Sequence, residues 1–227
     1  MSFTGFPPAG RALLARLPGL DPAGFAAEHT AWTTLLLDPA RGFVTALGAV
    51  LVERISPGLL ADPRVNGSIA PINRDLRFDP HGPRYKDHLL FRWWERDRPK
   101  RTAPTLFVRL DPTRIGYASG MVFPSTDQWR TAVADHTTAQ GLINRVRRDL
   151  PDAEIAGADL KRVPAPYPAD HPNADLLRHK TMFQLRWTQP LPTAVSTPAF
   201  VEHCATQLAR LTALHHWLHT TVATVAP

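Results

Sequence analysis

The order of hydrophobic patterns along the chain predicts an α+β fold, a single domain with one antiparallel sheet and helices packed against it. Three observations lead there. Apolar residues at helical spacing fill the first quarter, short alternating runs bounded by turn residues occupy the middle, and a helix-spaced apolar face closes the chain. With 227 residues, 44% of them hydrophobic and 20% charged, there is enough chain to bury one sizeable core.

Residues 1–9 read as an extended arm whose Phe3 and Phe6 pack onto the body. Asp21-Pro22 and Asp38-Pro39 each set a capping acid before a proline at the first helical position, predicting helices over about 22–37 and 39–55. Phe43, Leu47, Val50, Leu51 and Ile55 give the second an apolar face, and Pro57-Gly58 ends it. After a loop through Asp62-Pro63 and Asn66-Gly67, residues 72–78 alternate as a strand. That strand would carry Ile72, Arg74, Leu76 and Phe78 inward and Asn73, Asp75 and Arg77 outward.

Further strands are expected at 89–94, 105–110 and 115–122, the last two joined by the hairpin turn Asp111-Pro112-Thr113. Ser125 and Gln128 form a capping box opening a helix to about 138, and a second helix near 140–150 stops at Pro151. Residues 153–163 are weakly strand-like, and Pro164, Pro166 and Pro168 impose a loop. His171-Pro172 starts a short helix to His179, and 181–188 alternates again. Thr197-Pro198 opens the last helix, with Val201, Cys204, Leu208, Leu211 and Leu218 on its apolar face. There is no internal repeat.

Composition excludes several classes. One cysteine excludes an internal disulfide framework and fits a reducing compartment. No apolar run is expected to span a bilayer, and the first 17 residues lack the pattern of a secretory signal, so a cytoplasmic setting without a membrane partner is expected. No Gly-rich phosphate cradle and no G-x-S-x-G elbow occur. His215 and His219 have i, i+4 spacing without the intervening Glu of a zinc protease. They read as histidines on a partly exposed helix face, so no metal and no cofactor is expected.

Lys and Arg number 26 against 20 Asp and Glu, and the pI is near 10.1, which favours anionic partners. Only four lysines occur, and Lys86, Lys161 and Lys180 stand in the densest polar stretches, where a compact ammonium has a use that Arg does not. Arg74, on the inward face of its strand, cannot deprotonate. It needs a carboxylate, a bound anion or an opening to water.

The run Arg74-Asp75-Leu76-Arg77-Phe78, followed by Tyr85-Lys86, resembles the signature of the domain-of-unknown-function family 2461, an R-x-x-R-D-x-R-F motif ending in D/N-K-x-x-Y. A second block is similar to the same family: Lys161-Arg162-Val163-Pro164, Tyr167, Asp170-His171-Pro172 and Leu176 to Lys180. The opening Phe3-x-Gly5-Phe6 and the closing Trp217-Leu218 fit as well. Pro71 stands where the signature has its first Arg, His81-Gly82 where an acid or amide and a Lys are usual, and Ala165-Pro166 in place of Arg-Gly. The resemblance implies that the two blocks belong together; it implies no substrate.

Together the blocks supply Arg74, Arg77, Tyr85, Lys86, Lys161, Tyr167, Arg178 and Lys180 as candidate ligand-binding residues for a phosphate or carboxylate. Asp75, Asp170 and His171 are candidate proton-transfer groups, with His81, His88 and His179 as further histidines. Two readings stand and can coexist. The cations line a cleft for a small anion, or Asp75, Asp87, Asp170 and Asp175 pair with them as an ionic clasp. A rival class is a nucleic-acid-binding module using the basic, tryptophan-bearing run 92–101. A third is a non-enzymatic interaction scaffold.

Overall fold

The structure, a computed structural model, describes residues 2–77, 79–123, 125–158 and 160–222, apart from the side chains at 136, 138, 145, 147, 149 and 158. Phe78, expected on the inward face of the first strand, lies outside the described residues.

Six strands form one antiparallel sheet: β1 (Leu59–Leu60), β2 (Leu89–Glu95), β3 (Thr105–Leu110), β4 (Ile115–Val122), β5 (Glu154–Ala158) and β6 (His179–Thr188). Their spatial order is β1-β2-β3-β4-β6-β5. With the helices packed on them this is the α+β class that the sequence predicts. Short strand-like apolar runs and turn chemistry locate β2 to β4, and the Asp111 N–H closes the β3–β4 turn on the Arg114 carbonyl at 3.0 Å. On the other side of the sheet, β5 pairs with β6 from Glu154↔Leu185 to Ala156↔Phe183 and then slips at a bulge between Ala156 and Ala158. Gly157 makes the bulge with φ +123°; a Cβ there would lie 2.0 Å from the Thr181 carbonyl oxygen.

The chain divides into two compact units. The first comprises Met1–Trp93, Phe107–Gly116 and Trp187–Thr206. Its core is an aromatic cluster in which Phe43 lies 5.7 Å from Phe6, 5.1 Å from Phe91 and 5.2 Å from Phe200. Phe3 and Phe6 from the N-terminal arm are both buried, as their spacing predicts. Each such ring contributes roughly 1.5–3 kcal/mol by leaving water.

The arm continues into α1 (Pro8–Arg16), a helix whose first two residues were expected to be extended and whose remainder the sequence pattern does not assign. Buried Gly10 lets it approach the Leu35 carbonyl oxygen, to which a Cβ would come within 2.6 Å. Then α2 (Pro22–Trp32), capped by the Asp21 carboxylate accepting from the Gly24 N–H at 2.7 Å, runs without a break into α3 (Asp38–Arg54). The break expected at Asp38-Pro39 is replaced by a π turn, Thr33–Leu37, in which the Asp38 N–H reaches back to the Thr33 carbonyl. The wider turn accommodates a proline that would clash inside a regular α-helix.

This continuous helix corrects the expectation that no segment reaches spanning length. Pro22–Arg54 is 33 residues long, and its most apolar window has a mean hydropathy of 1.6. A core helix meets the same criteria, and Trp32, Leu36, Phe43 and Leu47 are buried within the unit itself.

The second unit comprises Trp94–Leu106, Tyr117–Arg186 and Gln207–Pro227. It carries α4 (Thr126–Ala134), α5 (His136–Asp149) and the one-turn α6 (Ala174–Leu177). α7 (Phe200–Ala209) belongs to the first unit as far as Thr206; from Gln207 the chain is in the second, where α8 (Thr212–Trp217) passes into a second π turn, Leu218–Val222. Trp129 stacks on Phe123 at 4.3 Å and packs with Leu142, Val146, Leu177, Met182 and Leu214. Ser125 caps α4 by accepting from the Asp127 N–H at 3.3 Å, and Gln128 is buried. Cys204, of the first unit, is a buried thiol on the apolar face assigned to it.

Candidate functional site

The strand expected from Ile72 does not form over residues 72–77. A single bridge pairs Asn73 with Tyr85, flanked by Arg74 N–H to Arg84 O and Lys86 N–H to Ile72 O, each 2.9 Å, and a turn follows at Leu76 and Arg77. The pairing drives Ile72 and Tyr85 into the core, where Tyr85 stacks on Phe25 at 4.4 Å. Tyr85 is therefore a packing residue. Arg74, expected to face inward, has 44% of its side chain exposed and, among the described residues, only a distant ion partner, Asp79 at 3.9 Å.

What the hairpin does build is a cavity of about 510 Å³ lined by Arg74, Asp75, Lys86, Asp87, His88 and Arg109. Arg109 comes from β3, outside both sequence blocks. Its Nε donates to Asp111 at 2.6 Å, and Asp111, on the β3–β4 turn, also accepts from Arg114 Nε at 2.9 Å. Both guanidiniums lie over the Trp187 ring, at 5.5 and 4.0 Å. Asp87 is 3.9 Å from Arg109, close enough to steer it but too far to bond.

The electrostatics are uneven. Asp75 is clamped by Arg77, which donates through Nε and Nη2 and holds its pKa down at about 2, so Asp75 is a fixed carboxylate and no proton carrier at neutral pH. Lys86 and Arg92 have no carboxylate within ion-pairing distance among the described residues. They donate to backbone carbonyls, Lys86 Nζ to Pro71 and Arg92 Nε to Gly67. Burial, then the neighbouring Arg92 and Arg74, lower the Lys86 pKa, and burial lowers that of Arg92.

His88 is the histidine the cavity selects. Its Nδ1 lies 2.8 Å from Asp87 Oδ1. The hydrogen bond from His88 lowers the Asp87 pKa, so the carboxylate is ionised and Nδ1 must carry the proton, leaving Nε2 as a base. Burial is the main cause holding the His88 pKa below the ordinary 6.5; Arg109 pushes the same way, against Asp87 and Asp111. The unfolded chain protonates this imidazole as pH falls through about 6.5 while the folded protein resists. Its contribution to stability is therefore complete above that pH and declines below it. Urea titrations at pH 7 and pH 5 are expected to differ less in His88→Gln than in the wild type; an unchanged difference would show His88 to be solvated.

The second block lies in the second unit. Arg178 pairs with Asp175 and, with Asn173 and His179, lines another cavity of about 510 Å³. Lys161, Lys180 and Asp170 are exposed. His171 Nδ1 accepts from the Asn173 N–H at 3.0 Å within its own turn, and Tyr167 packs edge-on to His171. Among the described residues no hydrogen bond joins Asp170 to His171. In the run 92–101, Trp93 and Trp94 are buried, so neither offers a free face to a base.

His215 is not on a partly exposed face. It is fully buried, with Nε2 2.8 Å from the equally buried Glu95 carboxylate, and burial lowers its pKa. The i, i+4 histidine spacing was the visible signal; its acid partner comes from 120 residues away.

A family model described as "Conserved hypothetical protein (DUF2461)" matches residues 24–217, a span that includes both blocks and ends at Trp217. No curated protein matches the sequence.

Proposed function

We propose that this chain, which belongs to the domain-of-unknown-function family 2461, binds a small phosphate- or carboxylate-bearing anion in the cavity of its first unit. The observation that carries the reading is Lys86, a partly buried cation of the cavity wall held by a backbone carbonyl, with no acid of the described residues within ion-pairing distance and with Arg92 near enough to lower its pKa further. An incoming anion supplies that charge. Lys86 gives a point contact, while Arg74 and Arg109 offer planar forks to oxygen pairs. The neutral His88, oriented by Asp87, is the proton-transfer group of this reading, beside the bound ligand. A cytoplasmic setting belongs to the same reading and is supported by the lone, buried thiol of Cys204.

Thermal melts with inorganic phosphate, pyrophosphate and citrate test it. An anion at a hundred times its Kd adds about 2.7 kcal/mol, or roughly 5–10 °C for a chain of this size. Lys86→Ala is expected to weaken that anion roughly tenfold to a hundredfold through loss of a charge-assisted hydrogen bond. The variant's ligand-free stability should stay within about 1 kcal/mol of wild type, because the deleted cation strands no acid and leaves only the Pro71 carbonyl without its donor. If none of the anions raises the melting temperature, or Lys86→Ala responds as the wild type does, the cavity is not an anion site. Steeply salt-dependent DNA or RNA binding, lost on neutralising the basic residues of 92–101, would favour the nucleic-acid reading instead.

A further inference from the structure

A second constellation lies wholly within the other unit and does not depend on the anion cavity. Glu95 ends β2, Asp97 follows two residues later, and His219 stands in the π turn after α8. One ligating atom from each lies within 4.8 Å of those of the other two. His219 sits between the two carboxylates, with Nδ1 3.9 Å from Glu95 Oε1 and Nε2 3.3 Å from Asp97 Oδ2. His215, one helical turn before His219 and fully buried, places Nε2 2.8 Å from the same Glu95 oxygen.

We propose that Glu95, Asp97 and His219 form a binding site for a divalent first-row metal ion of the zinc class, with His215 as the buried group that orients Glu95. Two carboxylates and an imidazole, without a thiolate, are the ligand set such ions accept and copper(I) does not. Tetrahedral zinc, with bonds near 2.0–2.2 Å, separates its ligand atoms by about 3.4 Å. The 3.3 Å edge between His219 and Asp97 already matches that spacing. A single ring nitrogen of His219 ligates, and the remaining edges, none above 4.8 Å, close by rotation of Asp97 and His219, whose side chains reach solvent, toward a fixed, buried Glu95. Three protein ligands leave a fourth position for water, the arrangement of catalytic rather than structural zinc. A histidine hydrogen-bonded to a ligating carboxylate is the outer-shell support that metal centres use.

The test is cobalt(II) titration of the full-length protein after dialysis against EDTA. One equivalent is expected to bind with the visible absorption of tetrahedral cobalt and to be displaced by zinc. His219→Ala and Asp97→Ala, at partly exposed positions, are expected to remain folded by circular dichroism and to lose the cobalt spectrum. His215→Gln should weaken cobalt binding at least about tenfold while keeping a stoichiometry of one. Absence of saturable binding, or a spectrum unchanged in His219→Ala, would overturn the site and assign any bound cobalt to other surface histidines.

Discussion

Replacing Gly5 by Ala is expected to destabilise the protein by about 4 kcal/mol, from left-handed backbone strain and overpacking together. Gly5 has φ +112°, and a Cβ there would lie 2.2 Å from the Ser196 carbonyl carbon and 2.3 Å from the Thr197 nitrogen. Those atoms cannot retreat. The Phe6 N–H donates to Val195 O at 2.8 Å, Thr197 N–H donates to Ala194 O at 2.9 Å, and Arg11 donates to Ser196 Oγ at 2.7 Å. The alternative to a clash is undocking of the arm, which pulls Phe3 and Phe6 from the aromatic cluster; truncating one such ring alone costs about 3–5 kcal/mol. Chemical denaturation of Gly5→Ala and Gly5→Ser reads the effect. A loss under about 1 kcal/mol in both would mean that the arm is not part of the folded core.

Asp111→Ala is expected to cost about 2 kcal/mol, discounted from the 3–5 kcal/mol of a fully buried pair because both partners reach water. Asp111 is 8% exposed and receives Arg109 and Arg114, whose side chains are 34% and 43% exposed. Without it, two guanidiniums share the face of Trp187 with Asp87 as the nearest acid to Arg109. The same substitution releases Arg109 toward the cavity, so anion affinity should rise while stability falls. Stability and affinity falling together would mean that Asp111 positions Arg109 for the ligand. An unchanged melting temperature would mean that water already satisfies both arginines.

The sequence was readable where one local rule decides the outcome. Short strand-like apolar runs and a Pro-containing turn located β2 to β4, and the spacing of Phe43, Leu47 and Leu51 identified the buried face of α3. It misled where a neighbour overrode the rule. Asp38-Pro39 reads as a new start, yet a π turn carries one helix through it. Pro7, Pro8 and Gly10 disguise α1, because proline at a first helical position looks like loop until the helix is seen, and Gly10 serves a contact with Leu35. The alternation that starts at Ile72 was cut short by the turn at Leu76 and Arg77.

Of the candidate site, Arg74 was legible from charge amid apolar neighbours and Lys86 as one of four lysines, set in a dense polar stretch. Arg109 and the role of His88 were not, because a strand outside both blocks and an adjacent Asp87 define them only in three dimensions. The Glu95–His215 pair is 120 residues apart in sequence, a separation that no spacing rule spans.

The two borders of the sheet bear on how the protein behaves when crowded. A free strand border is a template on which another chain can add hydrogen bonds, the first step toward fibrous assembly. Here β1 offers only two residues, and β5 keeps regular pairing only from Glu154 to Ala156 before the kink at Gly157. Among the described residues neither edge strand offers an intruding strand a long regular run to zip onto, so the kink acts as a built-in guard against polymerisation.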